Sequence, residues 1–433
     1  MASLVRDSGT LKSNITGGRS DPAAAVPRAS AQDFSCGLTH LTLTQFRNYR
    51  HVAVDLNVGD LNVGDLAPGP VVLLGPNGAG KTNLLEAISL LGPGSGLNRA
   101  KLSEIDFRGP GNQTNMAWAV HAKLRVGAEE FALGTGRDPL APAQIGRDRR
   151  LARINGAPAK SQADFAEILS VQWLVPAMDR LFDEAASGRR RFLDRLVAGI
   201  DPSHAARVAA YETAMRERAR LLRGELAASE GDLRAWLDGL EAEMAGAAVA
   251  IAASRREAVA ALNVALGEAE TPFPRAGLDV AGSVESWLEQ GPALAAEERL
   301  KDGLAASRAS DAAAGATEWG THRSDLDVTY LGRALGGAPL KAVECSTGEQ
   351  RALLLSITLA EARLTRSRRG QAPILLLDEA VAHLDRSRRE ALFAELLALG
   401  VQAWLSGVEW DPFQPLGAAA QVFEIEDGRL RSL

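Results

Sequence analysis

The chain has 433 residues, of which 46% are hydrophobic and 24% charged, and its formal net charge is −6. That length can hold two or three lobes with a sizeable core. Nucleic-acid binders usually carry a basic face, and because the net charge of this chain is negative, any such face has to be local. Two cysteines, Cys36 and Cys345, exclude a disulfide framework and a cysteine-based metal site.

The first element, residues 1–36, predicts a disordered tail. It is rich in Ser, Ala, Gly and Pro and lacks the apolar core of a signal peptide. No later apolar stretch approaches the length needed to span a bilayer. We therefore expect a cytoplasmic protein without a membrane partner.

A buried strand, a glycine-rich loop and an amphipathic helix come next. Four apolar residues, Val71–Leu74, precede the loop, and Asn83–Ile88 continue the helix. The loop completes the motif G-x-x-x-x-G-K-[ST] with Gly75, Pro76, Asn77, Gly78, Ala79, Gly80, Lys81 and Thr82. Backbone N–H groups in such a loop and the positive end of the helix bind phosphate.

This P-loop predicts that Lys81 reaches the β- and γ-phosphates of a nucleotide and that Thr82 holds Mg²⁺. An ordinary glycine-rich turn before a helix is the alternative. The motif and its flanking strand and helix agree with each other, which favours the nucleotide site.

Three consecutive basic residues follow further along the chain, Arg189, Arg190 and Arg191. We expect Phe192 and Leu193 to anchor this helix in the core and the arginines to point outward. Such a cluster either contacts phosphates or forms a solvated helix face. If its role is structural, its expected partners are the acids just upstream, Asp183 and Glu184.

Two amphipathic helices are predicted next, each with apolar residues three or four positions apart. The apolar positions are Val208, Tyr211, Met215, Ala219, Leu222 and Leu226 in the first helix, and Leu233, Trp236, Leu240, Met244, Ala247 and Ile251 in the second. The segment Ser229–Asp232 between them carries a stop glycine, Gly231, and a new N-cap. The pattern predicts an antiparallel helical hairpin.

An apolar helix, Ala352–Leu364, begins near the C-terminal end after a polar start. Ser346 and Glu349 have the spacing of a capping box, so helix capping is one interpretation of Ser346. In the other, the start resembles the ABC signature, a helix N-terminus offered to the γ-phosphate of a second subunit. The signature residues are Ser346, Gly348, Glu349 and Gln350.

The run Ile374–Leu377 predicts a fully buried parallel strand that ends in two acids. Asp378 is expected to hold Mg²⁺, and Glu379 to act as the catalytic base that orients and polarises the attacking water. A core strand ending at a surface acidic pair is the alternative, which the P-loop makes less favourable. Residues 382–385 then resemble a D-loop, with Asp385 as its acid.

The order of signature, acidic strand and D-loop is similar to that of the ABC ATPases. Lys81 and Ser346 are 346 − 81 = 265 residues apart, much farther than in a compact transporter ATPase subunit. A head split by a helical insertion is similar instead to the SMC-like ATPases, which act on DNA. The arm is far too short for an SMC protein proper.

Further segments closely resemble the RecF family. Leu41–Arg50 matches its opening strand and Phe-Arg-Asn-Tyr motif, and Gly188–Asp194 matches its arginine-rich entry to the arm. Gly320–Leu326 is similar to its Gly-Pro-His-Arg-Asp-Asp-Leu segment, with Thr321 and Ser324 as departures. Ser406 stands where a transporter carries the switch histidine, and RecF proteins generally carry a hydroxyl residue there.

The resemblance covers residues 37–433 and implies an α/β, ABC-type P-loop ATPase head with an inserted helical, antiparallel coiled-coil arm. It implies ATP and Mg²⁺ as cofactors, an ATP-dependent homodimer and weak, DNA-stimulated ATPase activity. It also implies binding to single-stranded and gapped DNA, with RecR and RecO as partners and RecA indirectly. The arginine cluster at 189–191 is the expected DNA contact.

The expected domains are the tail at 1–36, the N-terminal part of the head at 37–195, the arm at 196–300 and the C-terminal part of the head at 301–433. The expected function is ATP-dependent DNA binding in recombinational repair and replication, aiding RecA loading. A transporter ATPase subunit and an SMC-like structural tether are the alternatives.

Overall fold

The computed structural model describes residues 36–56, 68–109, 116–139, 149–225, 230–335, 337–382 and 384–433. The tail predicted for residues 1–36 lies outside these ranges except for Cys36, which begins the first strand. One position of the predicted D-loop, His383, also lies outside them.

The strands belong to three sheets. In chain order they are β1 (Cys36–Phe46), β2 (Tyr49–Asp55), β3 (Val71–Leu74), β4 (Ala119–Val126), β5 (Glu129–Arg137), β6 (Arg150–Ile154), β7 (Ala157–Pro158), β8 (Val171–Leu174), β9 (Ala276–Ala281), β10 (Asp325–Leu335), β11 (Ala338–Lys341), β12 (Ile374–Leu377), β13 (Ala403–Gly407), β14 (Gln421–Glu426) and β15 (Arg429–Ser432).

The helices lie between groups of these strands and also form the arm. They are α1 (Lys81–Ser89), α2 (Phe165–Ile168), α3 (Ala186–Ile200), α4 (Ser203–Leu222), α5 (Glu230–Glu268), α6 (Ser283–Gln290), α7 (Ala293–Ala306), α8 (Arg308–Ala314), α9 (Thr347–Arg369) and α10 (Arg386–Leu399). Within the described ranges, none of them has the length and apolar composition needed to cross a membrane.

The sheet that carries the P-loop strand has the order β15-β14-β3-β13-β12-β8. Its pairings are parallel apart from the hairpin between β14 and β15. All residues of β3, β8 and β12 are buried, as expected for strands covered on both faces. Because β3 lies early in the chain and β12 and β13 lie late, both ends of the chain build one sheet and their loops meet at one edge.

The second head sheet has the order β2-β1-β4-β5-β6-β7 and is antiparallel. In β4, exposed and buried residues alternate, which indicates one face on the core and one in solvent. The buried amide of Gln402, just before β13, bonds both the N–H and the carbonyl of Leu38 at 2.8 and 2.9 Å. This side chain joins the two head sheets.

The arm begins with the helical hairpin formed by α4 and α5. Arg207 bonds Ser254 and Arg218 bonds Glu241, so the two helices run antiparallel, as predicted. The predicted joint is wrong: α4 ends at Leu222, and Gly224 takes the left-handed conformation that ends helices. Residues 231 and 232 lie inside the first turn of α5.

Helix α5 passes through two separate apolar cores. Its middle part, including Met244 and Ile251, packs in the arm core with residues of α4, α6 and α7. Its C-terminal part, including Leu262 and Leu266, packs in the head core beside β9 and β10. Both predicted arm boundaries fall inside helices, at 195 within α3 and at 300 within α7, and Leu304 still belongs to the arm core.

Candidate functional site

The P-loop lies between β3 and α1, at the carboxyl edge of the parallel sheet. Gly75 and Gly80 have φ angles of 149° and 115°, which side-chain-bearing residues rarely adopt. A Cβ on Gly75 would lie 2.3 Å from the carbonyl oxygen of Ile425, and one on Gly80 would lie 2.4 Å from Nδ2 of Asn48. Both glycines are therefore required by conformation and by close packing.

The ammonium of Lys81 lies within the curve of this loop. Its Nζ donates to the carbonyl oxygens of Gly75 at 2.5 Å and Pro76 at 3.0 Å, and the residue is only 5% exposed. Burial lowers the pKa of Lys81, and the nearby carboxylates of Glu379 and Asp378 oppose that shift. Lys81 is thus a buried cation that faces two acids and bonds backbone carbonyls.

The acidic end of β12 meets the first turn of α1. Thr82 Oγ1 donates to Asp378 Oδ2 at 2.8 Å, although the two residues are 296 positions apart. The other carboxylate oxygen of Asp378 accepts from Ser406 Oγ at 2.6 Å. Ser406 Oγ in turn accepts from the backbone N–H of Glu379 at 2.8 Å. The fold therefore joins Thr82, Asp378 and Glu379 through Ser406 in one hydrogen-bonded chain.

The oxygens of Thr82 and Asp378 fit a site for Mg²⁺. A hydroxyl and a carboxylate are hard ligands, and Mg²⁺ commonly takes one or two protein oxygens and completes its octahedron with phosphates and water. Among the described residues no group of three or more His, Cys, Asp or Glu could hold a metal alone. The donors therefore fit a cation that arrives with a phosphate ligand.

Two residues that sequence analysis matched but gave no role support the P-loop from outside. Asn48 Nδ2 donates to the carbonyl of Ala79 at 3.0 Å, and the hydroxyl of Tyr49 donates to the carbonyl of Gly80 at 2.9 Å. Asn83 on α1 donates to Asn48 Oδ1 at 2.8 Å. The Phe-Arg-Asn-Tyr motif was visible in the sequence, but its contact with the P-loop follows only from the fold.

The start of α9 has the capped geometry predicted for Ser346. Its hydroxyl accepts from the backbone N–H of Glu349 at 3.4 Å, while the Glu349 carboxylate accepts from the Ser346 N–H at 2.9 Å. Ser346 and Gly348 are exposed. Gln350 is 2% exposed and donates to the carbonyl of Cys345, so its amide faces into its own chain and not outward.

The acid of the predicted D-loop caps the next helix. Asp385 is exposed, and its Oδ1 accepts from the backbone N–H of Arg388 at 2.9 Å at the start of α10. It lies in the segment that leads from the end of β12, where Asp378 is, to the start of α10. The structure thus brings the P-loop and the acidic pair into contact and leaves Asp385, Ser346 and Gly348 accessible from outside.

The sequence is similar to known proteins along most of its length. The family described as RecF/RecN/SMC N terminal domain matches residues 37–405. The "DNA replication and repair protein RecF" of Mesorhizobium japonicum is 45% identical over 393 residues, which cover 90% of this chain and 96% of that protein. The chain belongs to the RecF family.

Another relative and a solved structure agree with the RecF family. The "DNA replication and repair protein RecF" of Rhizobium etli is 42% identical over 396 residues, which cover 91% of this chain and 98% of that protein. The structure described as "Structure of the recombination mediator protein RecF-ATP in RecFOR pathway" has a TM-score of 0.72 at 21% identity and covers 92% of this chain and 100% of that one. The predicted fold class, an ABC-type head with a helical arm, is confirmed.

The arginine-rich segment Gly188–Asp194 lies on α3, the helix that leads into the arm. Its three arginines make different contacts. Arg189 forms a two-bond ion pair with Asp325, at 2.8 and 2.7 Å, and Arg190 donates to the carbonyl of Ser324 at 2.7 Å. Arg191 is exposed. Partial desolvation of its guanidinium and the charges of Arg99 and Arg190 still lower its pKa.

The expectation that all three arginines point outward is therefore wrong for Arg189 and Arg190. For Arg189 the expected acidic partners are wrong, because the carboxylate beside it belongs to Asp325 on β10 and Glu184 gives it only a backbone carbonyl. The charge of Glu184 acts instead on Arg191, whose pKa it raises against the other effects. Helix α3 packs against β10, which sequence spacing could not show. DNA contact through this cluster stays a prediction, with Arg191 as its accessible member.

Proposed function

We propose that this member of the RecF family is an ATP-dependent DNA-binding protein of recombinational DNA repair and replication, acting in the cytoplasm. The observation that carries the proposal is the contact between Thr82 and Asp378. It joins a complete P-loop to the acids of a strand from the other end of the chain, and this pairing of loop and acids is typical of ATP hydrolysis.

In the proposed mechanism the loop Gly75–Gly80 and Lys81 bind the phosphates of ATP. Phosphate oxygens carry charge, so they are better acceptors for the Lys81 ammonium than the two carbonyls it bonds. Thr82 and Asp378 would hold Mg²⁺, which would supply positive charge against the charge that develops on the phosphate oxygens. Glu379 accepts a hydrogen bond from the attacking water and orients it. Ser406 holds Asp378 and the backbone of Glu379 in place.

A second subunit completes the site in this proposal. Ser346 and Gly348 are exposed at the N-terminus of α9, and a Cβ on Gly348 would meet no other atom within 4 Å. The positive end of a 23-residue helix is thus open to an anion. We assign Ser346 and Gly348 to the γ-phosphate of the partner's ATP, with Glu349 holding the Ser346 N–H in the capping box, and Asp385 to the same interface.

The proposed cycle follows from that interface. ATP joins two subunits, DNA binds to the dimer at single-stranded and gapped sites, and slow, DNA-stimulated hydrolysis separates the subunits. RecR and RecO are the proposed protein partners, and the outcome is RecA loading. The described residues contain no base-reading motif, so we expect selection of DNA structure and not of sequence.

DNA binding by the full chain, with and without ATP and Mg²⁺, tests the proposal on gapped, blunt and single-stranded substrates. We expect ATP to strengthen binding to gapped and single-stranded DNA. Lys81→Ala should lose this response, and Lys123→Ala, which removes an exposed cation from β4, should keep it. Binding of the wild type that ignores ATP would refute the proposal, and a transporter subunit should not bind DNA in either condition.

Light scattering tests the dimer. The wild type should double in mass with ATP, whereas Ser346→Arg should bind ATP as a monomer, because a cation there opposes the helix dipole and fills the place of the phosphate. A normal dimer in this variant would leave Ser346 as a helix cap only. An SMC-like tether needs a long coiled coil, but α5 has 39 residues and is about 58 Å long at 1.5 Å per residue.

A further inference from the structure

One buried side chain links the signature helix to the acids of the site. Arg351 is 5% exposed and lies one turn after the exposed start of α9. Its Nη2 donates to the carbonyl oxygens of Glu379 at 2.8 Å and Asp378 at 3.3 Å. Its Nη1 donates to Asp179 Oδ2 at 3.2 Å, in the short helical turn Pro176–Arg180 after β8.

Glu379 has a backbone conformation that requires such support. Its φ angle is +50°, in the left-handed region that non-glycine residues rarely occupy and keep only where their surroundings hold them. Ser406 bonds its N–H and Arg351 bonds its carbonyl, so the peptide groups on both sides of Glu379 are held. These two bonds fix the backbone position from which the Glu379 side chain projects.

We infer that Arg351 is a positioning residue that sets the orientation of Glu379 and couples it to the signature helix. A helix moves as a rigid unit, so a shift of its Ser346 end against a partner's nucleotide also shifts the guanidinium one turn later. Glu379 then reaches its working position only when the helix is docked. The inference rests on the proposed ATPase function.

The competing interpretation is that Arg351 only ties α9 to Asp179. The geometry favours the positioning role, because the carbonyl of Glu379 is closer to the guanidinium than the Asp179 carboxylate is, 2.8 Å against 3.2 Å. Its Nε also makes no hydrogen bond among the described residues, so all the bonds found for this guanidinium go to these three groups.

Steady-state ATP turnover by Arg351→Lys, with gapped DNA present, tests the inference. Lysine keeps the charge but lacks the planar fork that reaches both carbonyls and Asp179. We expect kcat to fall by about 10- to 100-fold and KM for ATP to change by less than about threefold, since misplacing a catalytic group by about 1 Å has an effect of this size. The matched control is Arg363→Lys on the same helix, whose partner is Glu395.

A double-mutant cycle separates positioning from a structural role. In a Glu379→Gln background the base is already removed, so Arg351→Lys should lower kcat no further. Additive losses, or a loss of ATP affinity with kcat unchanged, would overturn the inference. If Arg351→Lys does not fold, Arg351→Gln is the second variant, because a neutral amide is easier to bury than an ammonium. A kcat equal to that of the wild type in Arg351→Gln would overturn the inference. Absence of ATP turnover in the wild type would instead refute the proposed function.

Discussion

Lys81 in the P-loop and Arg218 in the arm are both buried cations, but their partners differ. Arg218 is fully buried and bonds Glu241 at 2.9 Å and Asp311 at 2.7 Å. It also donates to the carbonyl of Leu304. Lys81 bonds only backbone carbonyls among the described residues, Gly75 and Pro76.

This difference separates a structural cation from a binding cation. A guanidinium saturated by two buried carboxylates has no donor to offer a ligand. Its removal takes the ion-pair partner from Asp311 and leaves Glu241 with Arg308 alone. An ammonium bonded to neutral carbonyls exchanges them for charged phosphate oxygens at a gain. We therefore expect substitutions of the buried ion pairs in the arm to lower stability most, and substitutions at the head site to lower ATP turnover most.

The largest expected effect is on turnover at the head. Glu379→Gln should lower ATP hydrolysis by about 10²- to 10⁴-fold, the usual contribution of general-base catalysis, because an amide cannot polarise water as a carboxylate does. Phosphate release measures it. ATP affinity should stay near that of the wild type, and the variant should accumulate as an ATP-bound dimer. Hydrolysis at the wild-type rate would show that Glu379 is not the base.

The arm should respond in the opposite way. Arg218→Met removes the ion-pair partner of Asp311 and one of the two arginines that bond Glu241, and it should lower the free energy of unfolding by about 3–5 kcal/mol. Urea unfolding measures it, and Arg220→Met, which removes a partly exposed cation paired with Glu225, is the control. ATP affinity should be retained because the arm core is separate from the head core. A loss of ATP affinity before the arm unfolds would contradict this separation.

A pH dependence of stability is expected from Glu361 on α9. Burial raises its pKa to about 8 from a usual value of 4.5, against the opposing effects of Thr365, Arg195, Gln172 and Arg369. Its Oε2 is buried and makes no hydrogen bond among the described residues. The folded protein therefore holds a proton that the unfolded chain releases at lower pH.

The resulting contribution to stability is full below pH 4.5, declines as the pH rises through the window up to about 8, and is lost above it. Glu361→Gln should flatten this decline and raise the thermal midpoint at pH 9. Glu390→Gln on the exposed face of α10 is the control. Equal pH profiles for the wild type and Glu361→Gln would contradict a protonated Glu361.

The smallest effect tests the arginine cluster on α3. Arg191→Ala should weaken binding to all DNA sequences alike and flatten the slope of log K against log salt by roughly 0.9 on duplex DNA. Arg189→Ala should instead lower the thermal midpoint, because its ion pair with Asp325 joins α3 to β10. Equal salt slopes for the wild type and Arg191→Ala would place the DNA path elsewhere.

Local features of this chain were predictable from its sequence. The P-loop is eight consecutive residues whose conformation follows from its glycines and from the strand and helix beside it. The capping box of Ser346 and Glu349 is equally local, since its two partners are three residues apart. Apolar periodicity predicted the two arm helices but placed their joint at the wrong glycine, because Gly231 is tolerated within the first turn of α5.

Contacts between distant residues were decided by the tertiary structure. Arginine in a sequence shows a charge but not a partner: Arg189 pairs with Asp325 from 136 positions away, and Arg351 reaches the carbonyls of Asp378 and Glu379. The physical reason is that burial removes water as the default partner, so each buried polar group must bond whatever the packed elements bring near it. Which elements pack together depends on the whole chain, so no local sequence pattern predicts these partners.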